Sequence, residues 1–500
     1  MTEKKQTHEI GDRQTGSGSD FGPRPLKGQD HDGGGGNAMV EALPEFDWEK
    51  ELATKIRGKF AMAAVGDLTM MRPFGPFADE SLQAVLSIIR NADVGFANLE
   101  SNISDPPNYT GPLRGFMGVK EVATDIKSWG INVVSKCANH GFDSGPEGML
   151  ATLRLLEDAG VQYAGSGRNL TEAQAARFFE IGHGRIGIAA TYAVEEGTDA
   201  TRAADAWGNY TASRAGQNTL RLTRTYNITQ EQVDQLRTIQ DSLYVLDEEI
   251  TTLRKPPQPV SGPAASAINL NGTIYQAGGV AGTIDYIVNP EDLRQQFRQI
   301  KGGKQYADFM IASIHAHQAK WVAEAFPEET STPQFLIDYA HAAVDQGADV
   351  FMGHGPHALR GIEIYRGRPI FYGLGQFVRQ SDWRTPTRAD FDAFQTTPET
   401  TPLTPAELGV LRTAGPGFRH RAMYQSIIAV SRYDDGQLQE IHIYPVDLGF
   451  DRPLSQVGNP TLANEKLARD VLEHMQRVSA PFGTEILIEG NVGVIRPSSR

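Results

Sequence analysis

Cysteine is almost absent: the 500 residues contain one, Cys137. An intramolecular disulfide is therefore excluded, and so is a cysteine-based zinc cluster. Cys137 itself reads as a small buried residue. A basic excess is absent too. Lys and Arg total 47 against 61 Asp and Glu, a formal net charge of -14. A chain that coats nucleic acid carries a basic surface, so nucleic acid is not expected as a partner, nor is an anionic membrane surface. No run of ~18 apolar residues occurs, so no transmembrane helix is expected. The opening MTEKKQTHEIGDRQ has no apolar segment after its charges and does not read as a signal peptide. The expected location is cytoplasmic. No internal repeat is found.

At ~100–200 residues per domain, the length allows two to four domains or one large α/β domain with insertions. Apolar residues make up 40% of the chain, enough for a sizeable core. Residues 1–40 are polar and end in Gly33-Gly34-Gly35-Gly36, which predicts a disordered tail. From Lys59 short apolar runs alternate with helical spacing. Phe60 to Val65 reads as a buried strand ending in Gly66-Asp67, and Leu82, Val85, Leu86 and Ile89 mark the helix after it. The alternation continues to about residue 198 and resumes after 278, which predicts an α/β fold. The catalytic α/β domain is thus expected in two halves, 41–198 and 279–500, around a helical insertion at 199–278. Within the insertion, Leu236, Ile239, Leu243, Leu246, Ile250 and Leu253 form an a/d seam on a predicted helix over 228–254. Such a helix packs on its own domain, lids the site or meets a second copy. Residues 362–365 and 369–372 read as a hairpin, and 380–418 as a long surface loop.

Five short signals sit at expected strand ends: Gly66-Asp67, Asn98-Leu99-Glu100, Asn139-His140, His315-Ala316-His317 and Gly353-His354-Gly355-Pro356-His357. Together they bring carboxylates, carboxamides and imidazoles to the edge where open α/β sheets bind ligands. Neutral imidazole and carboxylate are the usual ligands of Zn, Mn or Fe. Singly, each signal is weak, because a strand-end histidine is commonly an ordinary hydrogen-bonded residue. Their shared placement is the informative feature.

At these motifs the sequence resembles the CapA-like family of capsule and poly-γ-glutamate biosynthesis, within the calcineurin-like metallophosphatase superfamily. The resemblance covers roughly residues 59–200 and 278–448. It rests on AAVGDLTMMR, GFANLESNISD, NVVSKCANHGFDSGPEGM, DFMIASIHAHQ and DVFMGHGPHALRGIEIYRGRPIFYGLGQFV. It implies a four-layer α/β/β/α sandwich with metal ligands on loops at the strand ends. Carried over by position, Asp67, Glu100, Asn139, His315, His354 and His357 look like metal ligands, and His140 like the catalytic histidine beside a bridging Asn139. The implied cofactor is one or two divalent ions, Zn, Mn or Fe first, with Mg or Ca as alternatives. Arg72, just after the first motif, can hold an anionic substrate group bidentately or form a surface salt bridge. Asp143 can orient His140.

The sequence also departs from the family pattern. Ala138 stands where the family has the first Asn of NNH, Gln376 replaces the Asn of SLGNF, and Glu100 replaces the second Asp of the superfamily. His317 lies two residues after His315, on the same face if the strand continues, and can serve as acid/base or ligand. The leading reading is a metal-dependent hydrolase acting on a phosphoester- or amide-type centre, with His140 as acid/base. A lyase or epimerase acting at carbon would use the same parts, with His140, Asp143 and His317 carrying protons. A non-enzymatic component of capsule or poly-γ-glutamate assembly is the third reading. The expected substrate is an anionic small molecule or polymer, and helix 228–254 offers a homodimer contact.

Overall fold

The computed structural model describes residues 48–497, except 75–78, 198–199, 209, 244–265, 271, 324–329, 382–383, 385 and 414–419. The tail expected over 1–40 and the distal part of the 228–254 helix lie outside the described residues. Two large mixed sheets form the centre. In the first, Lys59–Thr69 runs parallel to Val94–Leu99, then Ile131–Ser135, then Gln162–Ala164. Its other edge meets Gln425–Asp434 antiparallel, followed by Gln437–Asp447. In the second sheet, Phe309–His315 lies between Gly184–Glu195 and Val350–His354, all parallel.

Strand alternation decides which faces meet, because successive side chains point to opposite sides of a sheet. Phe60, Met62 and Ala64 share a core with Ile186, Ile188, Phe309 and Ile311, so these residues fill the space between the sheets. Ala63 and Val65 face the other way and pack with Leu82, Val85, Ile126 and Leu153 of the helices Glu80–Arg90, Glu121–Ser128 and Gly145–Asp158. Met310, Ala312 and Ile314 likewise turn outward to Ile300, Phe335 and Tyr339 on Pro290–Gln305 and Gln334–Asp345. The result is the α/β/β/α sandwich. Each aliphatic side chain buried in these layers contributes roughly 1.5–3 kcal/mol.

The local signals act as their chemistry requires. Asp79 caps Glu80–Arg90 by accepting from the Ser81 N–H at 2.9 Å. Asn289 does the same for Pro290–Gln305, with Pro290 at the first helical position. Ile362–Tyr365 and Arg368–Phe371 form the expected hairpin, with Arg366 (φ 50) and Gly367 (φ 75) at its turn.

Two expectations need correction. Segment 199–278 is not helical alone: besides Gln230–Leu243 it supplies Thr219–Asn227, Ala267–Leu270 and Thr273–Gln276 to the second sheet. Leu220 and Leu222 are buried at two-residue spacing, but Arg221 between them and the polar residues after them mask the strand in the sequence. The helix packs on the two short strands, with Val233 buried and Ile239 exposed. The stretch 380–418 is likewise more than a loop, since it contains the helices Arg388–Ala393 and Pro405–Thr413. Among the described residues, no helix is long and apolar enough to cross a membrane.

Candidate metal centre

The parallel strands of both sheets deliver their polar ends to one edge of the sandwich. Asp67 pairs with Asn98 in the first sheet, and His315 pairs with His354 in the second. The Gly66-Asp67 step exists because the chain is crossed there. A Cβ on Gly66 would lie 1.8 Å from the Gly375 carbonyl oxygen, and that same carbonyl accepts the Asp67 N–H at 3.0 Å. Across the sandwich the 354–357 turn is strained. His357 has φ 57, a left-handed conformation costly for a residue with a Cβ. The turn brings both of its histidines onto Asp67: His357 Nδ1 lies 3.1 Å from Oδ2, and His354 Nδ1 lies 3.8 Å from Oδ1.

Three overlapping donor groups result: Asp67 with His315 and His354, Glu100 with His315 and His317, and Asp67 with Glu100 and His357. Within each, the candidate ligand atoms lie within 4.8 Å of one another. Asp67 belongs to two of them. Asn98 Nδ2 donates to Asp67 Oδ1 at 2.8 Å, and Asn139 Oδ1 lies 3.1 Å from His315 Nε2. The Nδ1 atoms of His315 and His354 are 3.0 Å apart, and Ser313 Oγ lies 2.8 Å from His354 Nε2.

The electrostatics suit a cation. Burial pushes the His317 imidazole down to about 3, helped by the neighbouring His357, and pushes His354 to about 4 against the pull of Asp67. His315 and His357 are held well below the usual range, again by burial first. These rings are therefore neutral at pH 7 and keep the lone pair a metal needs. Burial and the adjacent Asp67 raise Glu100 well above the ordinary carboxylate range, and burial raises Asp67 as well. Glu100 Oε1 and His317 Nε2 are buried without a hydrogen-bond partner among the described residues. Buried polar atoms are costly in that state, and a bound cation gives such lone pairs a partner. The residues present therefore fit a metal ion.

Beside the buried cluster lies a more accessible pair. His140 Nδ1 sits 2.8 Å from Asp143 Oδ2, with side-chain exposures of 30% and 22%. The carboxylate favours hydrogen on Nδ1 and leaves Nε2 as the acceptor. The Phe116 and His140 rings stand nearly perpendicular with centroids 4.5 Å apart, and Asn102 Nδ2 donates to the His140 carbonyl at 2.9 Å.

Arg72 is exposed, and its main-chain N–H donates to Gln380 Oε1 at 2.8 Å. Asn98 is read in a strand-end motif but given no role of its own, and Ser313 and Arg379 are not singled out. Asn98 and Glu100 are two apart, as are Ser313 and His315, so strand alternation would have found them. Arg379 is buried and donates to Gln376 Oε1 at 2.7 Å, and its charge adds to burial in holding His357 down. No motif announced it.

The family model described as "Bacterial capsule synthesis protein PGA_cap" matches residues 61–381. The chain belongs to this family. All the candidate ligands fall inside the matched stretch. As a PGA_cap member it is similar to "Uncharacterized protein y4sH" of Sinorhizobium fredii, at 35% identity over 479 residues, covering 92% of this chain and 98% of that one. It is also similar to "Capsule biosynthesis protein CapA" of Bacillus anthracis, at 23% identity over 65% of this chain and 61% of the relative. A shorter match, 37% identical over 96 residues, is to "PGA biosynthesis protein CapA" of Bacillus subtilis, covering 19% of this chain and 23% of that one. The family lies in the metallophosphatase-like superfamily, in agreement with the sandwich and its strand-end cluster.

Proposed function

We propose that this PGA_cap member is a metal-dependent hydrolase acting on a phosphoester- or amide-type bond of an anionic substrate. Asp67, Glu100, Asn139, His315, His317, His354 and His357 would hold one or two divalent ions, with Zn, Mn or Fe favoured by the nitrogen-rich donor set. When bound, such an ion lowers the pKa of a water and polarises the scissile group. The chain's own residues do the rest. Asp143 fixes the His140 tautomer, and His140 Nε2, on the more accessible side, carries the proton to or from the reacting group. Of the two roles open to His317, acid/base or ligand, its grouping with Glu100 and His315 supports the second. The observation that carries this reading is the sharing of Asp67 between two donor groups beside an oriented His–Asp pair. The names of the relatives support capsule or poly-γ-glutamate metabolism as the setting.

Metal analysis by mass spectrometry, joined to activity screens on phosphodiester and amide substrates, tests the proposal. Wild type should bind metal and hydrolyse a member of one class, while Asp67→Ala and His354→Ala should lose both properties. Full activity in metal-free protein would end the hydrolase reading. Solvent deuterium entering the substrate without hydrolysis would instead favour acid/base chemistry at carbon.

A further inference from the structure

The strand Gly184–Glu195 presents Ile186, Ile188 and Ala190 to the core between the sheets. Side chains two apart share a face, so the next residue in that row is Tyr192, and it comes level with His315 at the end of the neighbouring strand. Its ring stands edge-on to the His315 ring, with centroids 5.6 Å apart. The phenol also feels the carboxylates of Glu100, in the buried cluster, and Asp143, in the accessible pair. Half-buried Tyr192 thus belongs to the wall of the candidate centre.

Its backbone is held firmly. The Tyr192 N–H donates to the Asn218 carbonyl at 2.9 Å. The adjacent Thr191 hydroxyl donates to the same carbonyl at 3.2 Å and accepts from Gln296 Nε2 at 2.8 Å. The Tyr192 hydroxyl, by contrast, makes no hydrogen bond to any described residue. Tyr286 and Tyr339, which also belong to this half of the sandwich, donate theirs to the Ala319 carbonyl (3.0 Å) and to Gln296 (2.9 Å). A tyrosine held in place beside a charged cluster, with its O–H unused, is a preorganised donor for a ligand oxygen.

We infer that Tyr192 donates a hydrogen bond to an anionic oxygen of the substrate's reacting group, so that the site takes a phosphoryl or carboxylate-bearing centre between the buried cluster and His140. This inference rests on the metal-centre reading above. Tyr192→Phe is the matched variant: it keeps the ring against His315 and removes only the donor.

The test loads wild type and Tyr192→Phe with Mn²⁺, checks that metal content and melting temperature agree, and titrates each with orthophosphate and with acetate by calorimetry. Tyr192→Phe should bind one of the two anions roughly 10–100-fold more weakly, the range for losing a hydrogen bond to a charged group. A loss confined to phosphate assigns phosphoryl chemistry, and one confined to acetate assigns acyl or carboxylate chemistry. Equal affinity of the two proteins for both anions overturns the assignment, and so does a metal-loaded wild type that binds neither. In both of those cases normal metal uptake leaves the metal centre standing. A wild type that takes up no metal sinks both readings together.

Discussion

The strands Phe309–His315 and Val350–His354 carry a buried ionic group at each end, and the two groups are built on opposite principles. At the start of the strands, Lys304 Nζ donates to Asp349 Oδ2 (2.7 Å) and to the carbonyls of Thr54 (2.6 Å) and Asp308 (3.1 Å). Asp349 also accepts the Met310 N–H at 2.8 Å, and Arg368 lies 3.0 Å from its other oxygen. Three ammonium hydrogens meet three acceptors, and the chain supplies every partner. At the far end, two carboxylates crowd four imidazoles, and Glu100 Oε1 and His317 Nε2 have no hydrogen-bond partner among the described residues. The first group is closed by the protein itself. The second leaves buried polar atoms without hydrogen-bond partners among the described residues, an arrangement that fits a bound cation. A third buried ion sharpens the contrast: Lys136 is fully buried, and its Nζ has no hydrogen-bond partner among the described residues.

The largest expected effect falls on the closed end. Asp349→Ala strands Lys304 and Arg368 and should lower the unfolding free energy by about 3–5 kcal/mol, read by denaturant titration with metal uptake unchanged. Asp67→Ala, in metal-free protein, should cost far less, because that carboxylate is already opposed by its burial. Equal losses in the two variants would erase the distinction between the ends. Next comes the accessible pair. His140→Ala should cut turnover by about 10²–10⁴-fold while leaving metal content intact. Loss of bound metal in that variant would move His140 into the ligand set.

Metal addition should then stabilise the open end alone. At a free concentration of about 100 times Kd the gain is about 2.7 kcal/mol, visible as a melting temperature that falls on chelation in wild type and stays unmoved in Asp67→Ala. The smallest effect concerns Lys136, whose ammonium burial pushes down to about 8. The unfolded chain keeps that proton to about 10.5, so the penalty is complete below pH 8 and is relieved as pH rises from 8 to 10.5. Lys136→Met should therefore stabilise the protein at pH 7 by about 1–3 kcal/mol, and the gain should shrink at pH 9.5. A destabilised Lys136→Met would mean that this lysine, like Lys304, has its charge satisfied.

Much of the site was legible before the fold was known. Asp67, Glu100, Asn139, His315, His354 and His357 lie at strand ends that short apolar runs announce, and the strands form where those runs predict. Less legible was whatever depends on contacts across the sandwich. Arg72 follows a metal-ligand motif and suggests an anion clamp or a surface salt bridge; what the fold adds is that its main-chain N–H is tied to Gln380, 308 residues away. Arg379 carries no motif and becomes a buried neighbour of Glu100 and His357 only because its strand pairs with Lys59–Thr69. The strand Thr219–Asn227 was hidden by its half-buried Arg and Thr residues, whose exposure is set by neighbours remote in sequence.

By itself the sequence determined the chemistry of the donors and their delivery to strand ends, because alternation, caps and turns act over a few residues. With one cysteine it also excluded a disulfide and a cysteine-based zinc cluster; the fold then buries that thiol, and burial pushes it up to about 12. Only the tertiary structure decided that Asp67 is shared between two candidate donor groups, that His317 falls in one with Glu100 and His315, and that Tyr192 stands beside them with a hydroxyl bonded to no described residue. Asp67 and His357 are 290 residues apart and meet at 3.1 Å. Nothing local specifies that distance; it follows from two sheets packing face to face on one core.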